Sequence, residues 1–89
     1  MNKITLITSE GCVGCEVMRN SIDSAVKQTK VNIEVEVMDI KDINKKFIRT
    51  FHITDTPCAL FFRDNQYLFK KVGSVPAVVV VQWINVHYK

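Results

Sequence analysis

Two cysteines three positions apart, Cys12 and Cys15, are the residues best suited to chemistry in this chain. They close the turn Ser9-Glu10-Gly11-Cys12-Val13-Gly14-Cys15, between an apolar stretch, Ile4 to Thr8, and an amphipathic pattern of helical period. A disulfide is attacked by a thiolate, not a thiol. At the first turn of a helix, unpaired backbone N–H groups and the positive end of the dipole favour that thiolate. Cys12 stands at this position. Cys15 follows one turn later, near enough to close a disulfide and more shielded. The spacing therefore describes an exposed attacking thiol and a shielded resolving thiol.

Other uses of the pair fit less well. A disulfide closing so short a loop contributes only about 2 kcal/mol of chain entropy, less than half of what a long loop would give. A structural zinc site usually takes four ligands, often as two spaced pairs. The remaining candidates are Cys58, His52 and His87, with no second pair among them. A metal- or cluster-binding module using Cys12, Cys15 and Cys58 stays open as the alternative. Three cysteines is an odd count, which argues against a disulfide framework. The chain must fold on its hydrophobic core, and 89 residues allow one domain, 1–89.

The elements that position the pair can be read from periodicity. Ile4–Thr8 reads as a strand. The first helix places Val17, Met18, Ile22, Ala25 and Val26 on its apolar side and should end near Lys30. From Asn32 to Met38, apolar Ile33, Val35 and Val37 alternate with Asn32, Glu34 and Glu36, as in a half-buried strand, and the charges suit a sheet edge. A second helix, capped by Asp39 or Asp42, carries Ile40, Ile43, Phe47 and Phe51. Cys58 to Phe62 is apolar throughout, as expected of a central strand. After the polar Arg63–Gln66, Tyr67 to Val72 returns as its hairpin partner. Ser74 and Pro76 suit the start of a last helix, although Val78 to Val81 are β-branched residues that favour strand. The order βαβαββα predicts an α/β fold, a four-stranded mixed sheet with helices on both faces.

Charge excludes some partners. Twelve basic residues against nine acidic give +3, a mild excess. The densest basic cluster, Lys41, Lys45, Lys46 and Arg49, falls at helical spacing and reads as a solvated helix face, not a nucleic-acid patch. The N-terminus is too short and polar for a signal peptide, and no apolar run exceeds that of Ala77 to Val81, which is far too short for a membrane span. The expectation is a soluble, cytoplasmic protein with no nucleic-acid or membrane partner.

Gly11-Cys12-Val13-Gly14-Cys15, Thr56-Pro57 before an apolar strand, and Gly73 after the hairpin together resemble the thioredoxin superfamily. The stretches Phe51-His52-Ile53-Thr54-Asp55-Thr56-Pro57, Leu60-Phe61-Phe62 and Lys71-Val72-Gly73 look most like thioredoxin itself. The resemblance covers essentially the whole chain, without the extra N-terminal strand and helix of full-length thioredoxins. It implies a cis Thr56–Pro57 bond facing the cysteines and a backbone at Thr56 that pairs with a substrate chain. Gly11, Val13 and Gly14 would complete the substrate surface. Three positions depart from the family pattern. Leu6 stands where a buried acid often helps proton transfer, Gly11 where a tryptophan is familiar, and Gly14 where proline precedes the second cysteine. The glutaredoxin likeness is weaker, because Gly73-Ser74-Val75-Pro76 lacks the acid that helps hold glutathione.

The resemblance implies a thiol–disulfide oxidoreductase acting on protein disulfides, recharged by an upstream reductase or dithiol donor, with no cofactor beyond the Cys12–Cys15 couple. A thioredoxin-like domain that binds peptide around Pro57 without turnover is a further alternative. Cys58 reads as a small buried core residue, His52 as a loop or helix-end residue, and Trp83 as a core aromatic on the last helix.

Overall fold

Strand β1, Asn2–Thr8, is flanked on both sides. It pairs parallel with β2, Ile33–Asp39, and antiparallel with β3, Cys58–Arg63, so that Leu6 lies opposite both Val37 and Ala59. Strand β4, Gln66–Val72, pairs antiparallel with β3 and completes the order β2-β1-β3-β4, with β2 and β4 at the edges. The computed structural model describes residues 1–88. A parallel pair needs a long crossover, and helix α1, Val13–Gln28, supplies it between β1 and β2. A short 3₁₀ turn, Ile40–Asp42, and helix α2, Lys45–Thr50, connect β2 to β3. Helix α3, Ala77–His87, closes the chain.

Alternation along the strands divides the core in two. Ile4, Leu6, Ala59 and Phe61 face Met18, Ile22 and Ala25 of α1 and Val80 and Ile84 of α3. Ile7, Cys58 and Leu60 face the other way, against Ile43 and Ile53, with Phe47, Ile48 and Phe51 of the α2 region packed around them. Burying a side chain of this size contributes about 1.5–3 kcal/mol. The two layers therefore hold β1 and β3 from both sides, and the cysteine turn leaves the C-terminal end of β1.

Several boundaries differ from the sequence expectation. The stretch from Ile40 to Phe51 is not one helix. Asp39 caps the 3₁₀ turn, its Oδ1 accepting from the Lys41 N–H at 3.0 Å, and the chain breaks at the buried Ile43. Asn44, not Asp42, caps α2 by accepting from the Phe47 N–H at 2.8 Å. Asparagine is a poor interior helix residue and a good cap. Lys41 thus sits on a different element from Lys45, Lys46 and Arg49, and all four are exposed. Helix α1 ends at Gln28 with Thr29 as its C-cap, slightly before Lys30.

Ser74 does not cap α3. Pro76 is the cap residue and makes no side-chain cap bond. The valine run is helical because burial outweighs propensity: Val80 is fully buried against the sheet, while Val78 points out. At the hairpin, Asp64 and Asn65 both take positive φ, 51° and 67°, which suits a two-residue turn between right-twisted strands. Among the described residues, no helix is long and apolar enough to cross a membrane.

Candidate functional site

The end of β1 delivers the chain to Gly11, whose φ of +73° turns it toward α1. A left-handed conformation of this kind favours glycine. Cys12 then takes an extended conformation and serves as the N-cap of α1, a place usually filled by an oxygen side chain. Its Sγ accepts from the Cys15 N–H at 3.1 Å. Cys12 and Cys15 are joined as a disulfide, with Cα atoms 5.3 Å apart. Cys12 is half-buried and Cys15 only 5 % exposed, so the two residues differ in solvent access.

The second wall of the site comes from the loop before β3. The Thr56–Pro57 bond is cis, Pro57 is buried, and its carbonyl accepts from the Gly73 N–H at 2.8 Å. A Cβ on Gly14 would stand 3.4 Å from Pro57 Cδ and 3.8 Å from Ser74 Oγ. The first turn of α1, the cis-proline loop and the segment after β4 therefore converge. Thr56 is half-buried, and its hydroxyl bonds that of Ser9 at 2.5 Å. Val13 is 78 % exposed beside Cys12. Cys12, Cys15, Gly11, Val13, Gly14, Thr56 and Pro57 thus occupy one end of the sheet.

A cleft of about 440 Å³ opens on the other side of the cysteines, between α1 and edge strand β2. Its lining includes Ser9, Cys12, Cys15, Glu16, Arg19 and Val37. Arg19 lies on α1 and Val37 on edge strand β2. Only the parallel crossover brings them together beside the sulfurs. Ser9 belongs to the turn after β1, and nothing local in the sequence signals its contact with Thr56. Leu6 is fully buried, so an apolar side chain fills the β1 position below the motif.

Cys58 is fully buried among Ile7, Ile43, Ile53 and Leu60, in the layer on the α2 side. Burial pushes its thiol pKa up, and the Lys70 ammonium partly offsets this. That ammonium donates to the Phe51 and His52 carbonyls, at the C-terminal end of α2. Among the described residues, no group of three or more His, Cys, Asp or Glu side chains gathers as metal ligands would. His52 is exposed at the end of α2 with φ 51°. Trp83 is half-buried and meets Phe61 edge to face at 5.8 Å.

The sequence matches no protein-family model and no curated protein. Solved structures do match. Thioredoxin-2, described as a component of malaria parasite protein secretion machinery, superposes with a TM-score of 0.82 at 17 % identity, covering 98 % of this chain and 84 % of that one. This chain has the thioredoxin fold. Chloroplastic thioredoxin z gives a TM-score of 0.77 at 13 % identity, over 97 % of this chain and 77 % of that one. Thioredoxin from Aeropyrum pernix gives 0.71 at 18 %, over 96 % and 73 %. At such identities the likeness concerns the thioredoxin fold alone.

Proposed function

We propose that the protein is a thiol–disulfide oxidoreductase that reduces protein disulfides through Cys12 and Cys15. The observation that carries this reading is the disulfide at the start of α1, with the Cys15 N–H directed at Cys12 Sγ. In the dithiol state the same N–H and the helix dipole favour negative charge on Cys12.

The cycle then balances as follows. The Cys12 thiolate attacks one sulfur of a substrate disulfide, forming a mixed disulfide, and the other substrate sulfur leaves as a thiolate and is protonated. Cys15 loses its proton and attacks Cys12 Sγ, which breaks the bond to the substrate and releases its second thiol. Two electrons pass from the dithiol to the substrate, leaving Cys12–Cys15 oxidised. An upstream reductase or dithiol donor restores the pair, and in a reducing cytoplasm the cycle runs toward substrate reduction. Thr56 and Pro57 support chain binding beside the sulfurs, with Gly11, Val13 and Gly14 on the facing side. An exposed valine and a loop backbone suit a polypeptide better than a small charged thiol.

The test is a Cys15→Ser variant, which should accumulate mixed disulfides with its targets on Cys12. If no adduct forms while Cys12 still reacts with iodoacetamide, the exchange mechanism is wrong. Disulfide reduction by the wild-type protein no faster than by Cys12→Ser would favour a peptide-binding domain without turnover.

A further inference from the structure

We infer that Ser9 is a positioning residue that couples the nucleophile turn to the substrate loop, an inference that rests on the functional reading above. Ser9 is the first residue after β1, whose last residues are held by partners on both sides: Ile7 lies opposite Cys58, and Thr8 opposite Asp39. It is therefore anchored to the most constrained strand of the sheet.

From that anchor it reaches both halves of the site. Its carbonyl accepts from the Cys12 N–H at 3.4 Å, and its hydroxyl bonds the Thr56 hydroxyl at 2.5 Å. Among the described residues, this hydroxyl pair is the one hydrogen bond joining the 9–15 segment to the 53–57 loop. The neighbouring loop residues Thr54 and Asp55 are exposed, and the side-chain bond between them is local. Pro57 is tied on its far side by the Gly73 N–H. Ser9 and Gly73 thus hold the two ends of the dipeptide Thr56–Pro57.

The consequence is selective. A polypeptide must lay its backbone against a loop edge, and ordering that edge at the moment of binding costs backbone entropy. A loop already fixed by the Ser9 hydroxyl avoids that cost. A small disulfide needs only the sulfur of Cys12. Removing the hydroxyl leaves the carbonyl bond to the Cys12 N–H in place, so the nucleophile itself keeps its support.

The experiment compares Ser9→Ala, Thr56→Val and the double variant on two substrates: a disulfide-bonded polypeptide such as insulin, and the small disulfide 5,5′-dithiobis(2-nitrobenzoate). Loss of one hydrogen bond predicts an increase in KM of about three- to tenfold for the polypeptide, with kcat little changed. The double variant should lose no more than either single variant, because both remove the same bond. Rates of Ser9→Ala with the small disulfide and alkylation of its Cys12 should match wild type. Equal slowing on both substrates, additive losses, or unchanged KM would overturn the inference. Wild-type protein that reduces the small disulfide but not the polypeptide overturns the protein-substrate reading, and this inference with it.

Discussion

The backbone N–H of Cys15 points at Sγ of Cys12 across 3.1 Å, so the residue proposed as nucleophile also caps helix α1. One contact thus serves local structure and chemistry together. Sulfur is a weak acceptor when neutral, which separates the two roles experimentally. Cys12→Ser puts a strong capping oxygen in place, and Cys12→Ala removes the acceptor. Neither variant forms the disulfide or turns over. Cys12→Ser should nevertheless be the more stable by about 1 kcal/mol, read from urea midpoints. Equal midpoints would show that the cap contributes nothing.

Gly14 illustrates how much room the site leaves. It lies in the first turn of α1, and the nearest atom to an added Cβ is Pro57 Cδ at 3.4 Å, an ordinary contact. Alanine restricts the unfolded chain and suits a helix better. Gly14→Ala should therefore raise stability by about 0.5–1 kcal/mol and rest against the proline. A loss of stability in denaturant titration would mean that the first turn needs glycine for its backbone.

Lys70 ties strand β4 to the end of α2 by donating to the carbonyls of Phe51 and His52. Lysine near a helix C-terminus also meets the negative end of the dipole. Lys70→Met keeps the apolar stem and removes the charge. It should cost about 1–3 kcal/mol, and each kcal/mol lowers Tm by about 4–8 °C in a domain of this size. Calorimetry that finds Tm unchanged would remove Lys70 from the account of the fold.

Alkaline pH should weaken the protein. Burial raises the Cys58 thiol above its ordinary value of 9.0, and burial pushes the Tyr88 hydroxyl from 10.0 to about 12, although the Phe62 backbone partly offsets this. The folded state then holds these protons more tightly than the unfolded chain. Their stabilisation is intact below about pH 9 and is lost as pH rises through the shifted values, at up to about 1.4 kcal/mol per pH unit for each group. Urea midpoints measured from pH 8 to 12 should fall, and Tyr88→Phe should flatten the part of the decline above pH 10. A flat profile would contradict the burial argument.

Residues close in sequence carried the parts that sequence alone determines. The Cys12–Cys15 spacing, the helical period from Val17 to Val26 and the alternation from Ile33 to Val37 are local patterns, and each follows from the repeat of a helix or strand. Together they predict the element order βαβαββα, a four-stranded mixed sheet and the cysteines in the turn after the first strand. Caps were less legible. Asp42 and Asn44 are both competent, and the burial of Ile43 decided between them; Ser74 lost its capping role because the chain reaches α3 at Pro76. The valine run showed both propensities, and packing against the sheet chose helix.

Tertiary structure alone decided which distant residues share the site. Ser9 and Thr56 are 47 positions apart, and their hydroxyls meet because β1 and β3 are neighbours whose ends bring the two loops together. Arg19 and Val37 reach the cleft beside the cysteines because the α1 crossover lays β2 parallel to β1. Cys58 follows Pro57 directly, yet the two-residue period of β3 turns its thiol into the core on the α2 side. Sequence periodicity says which face of an element is apolar. Only packing says what that face meets.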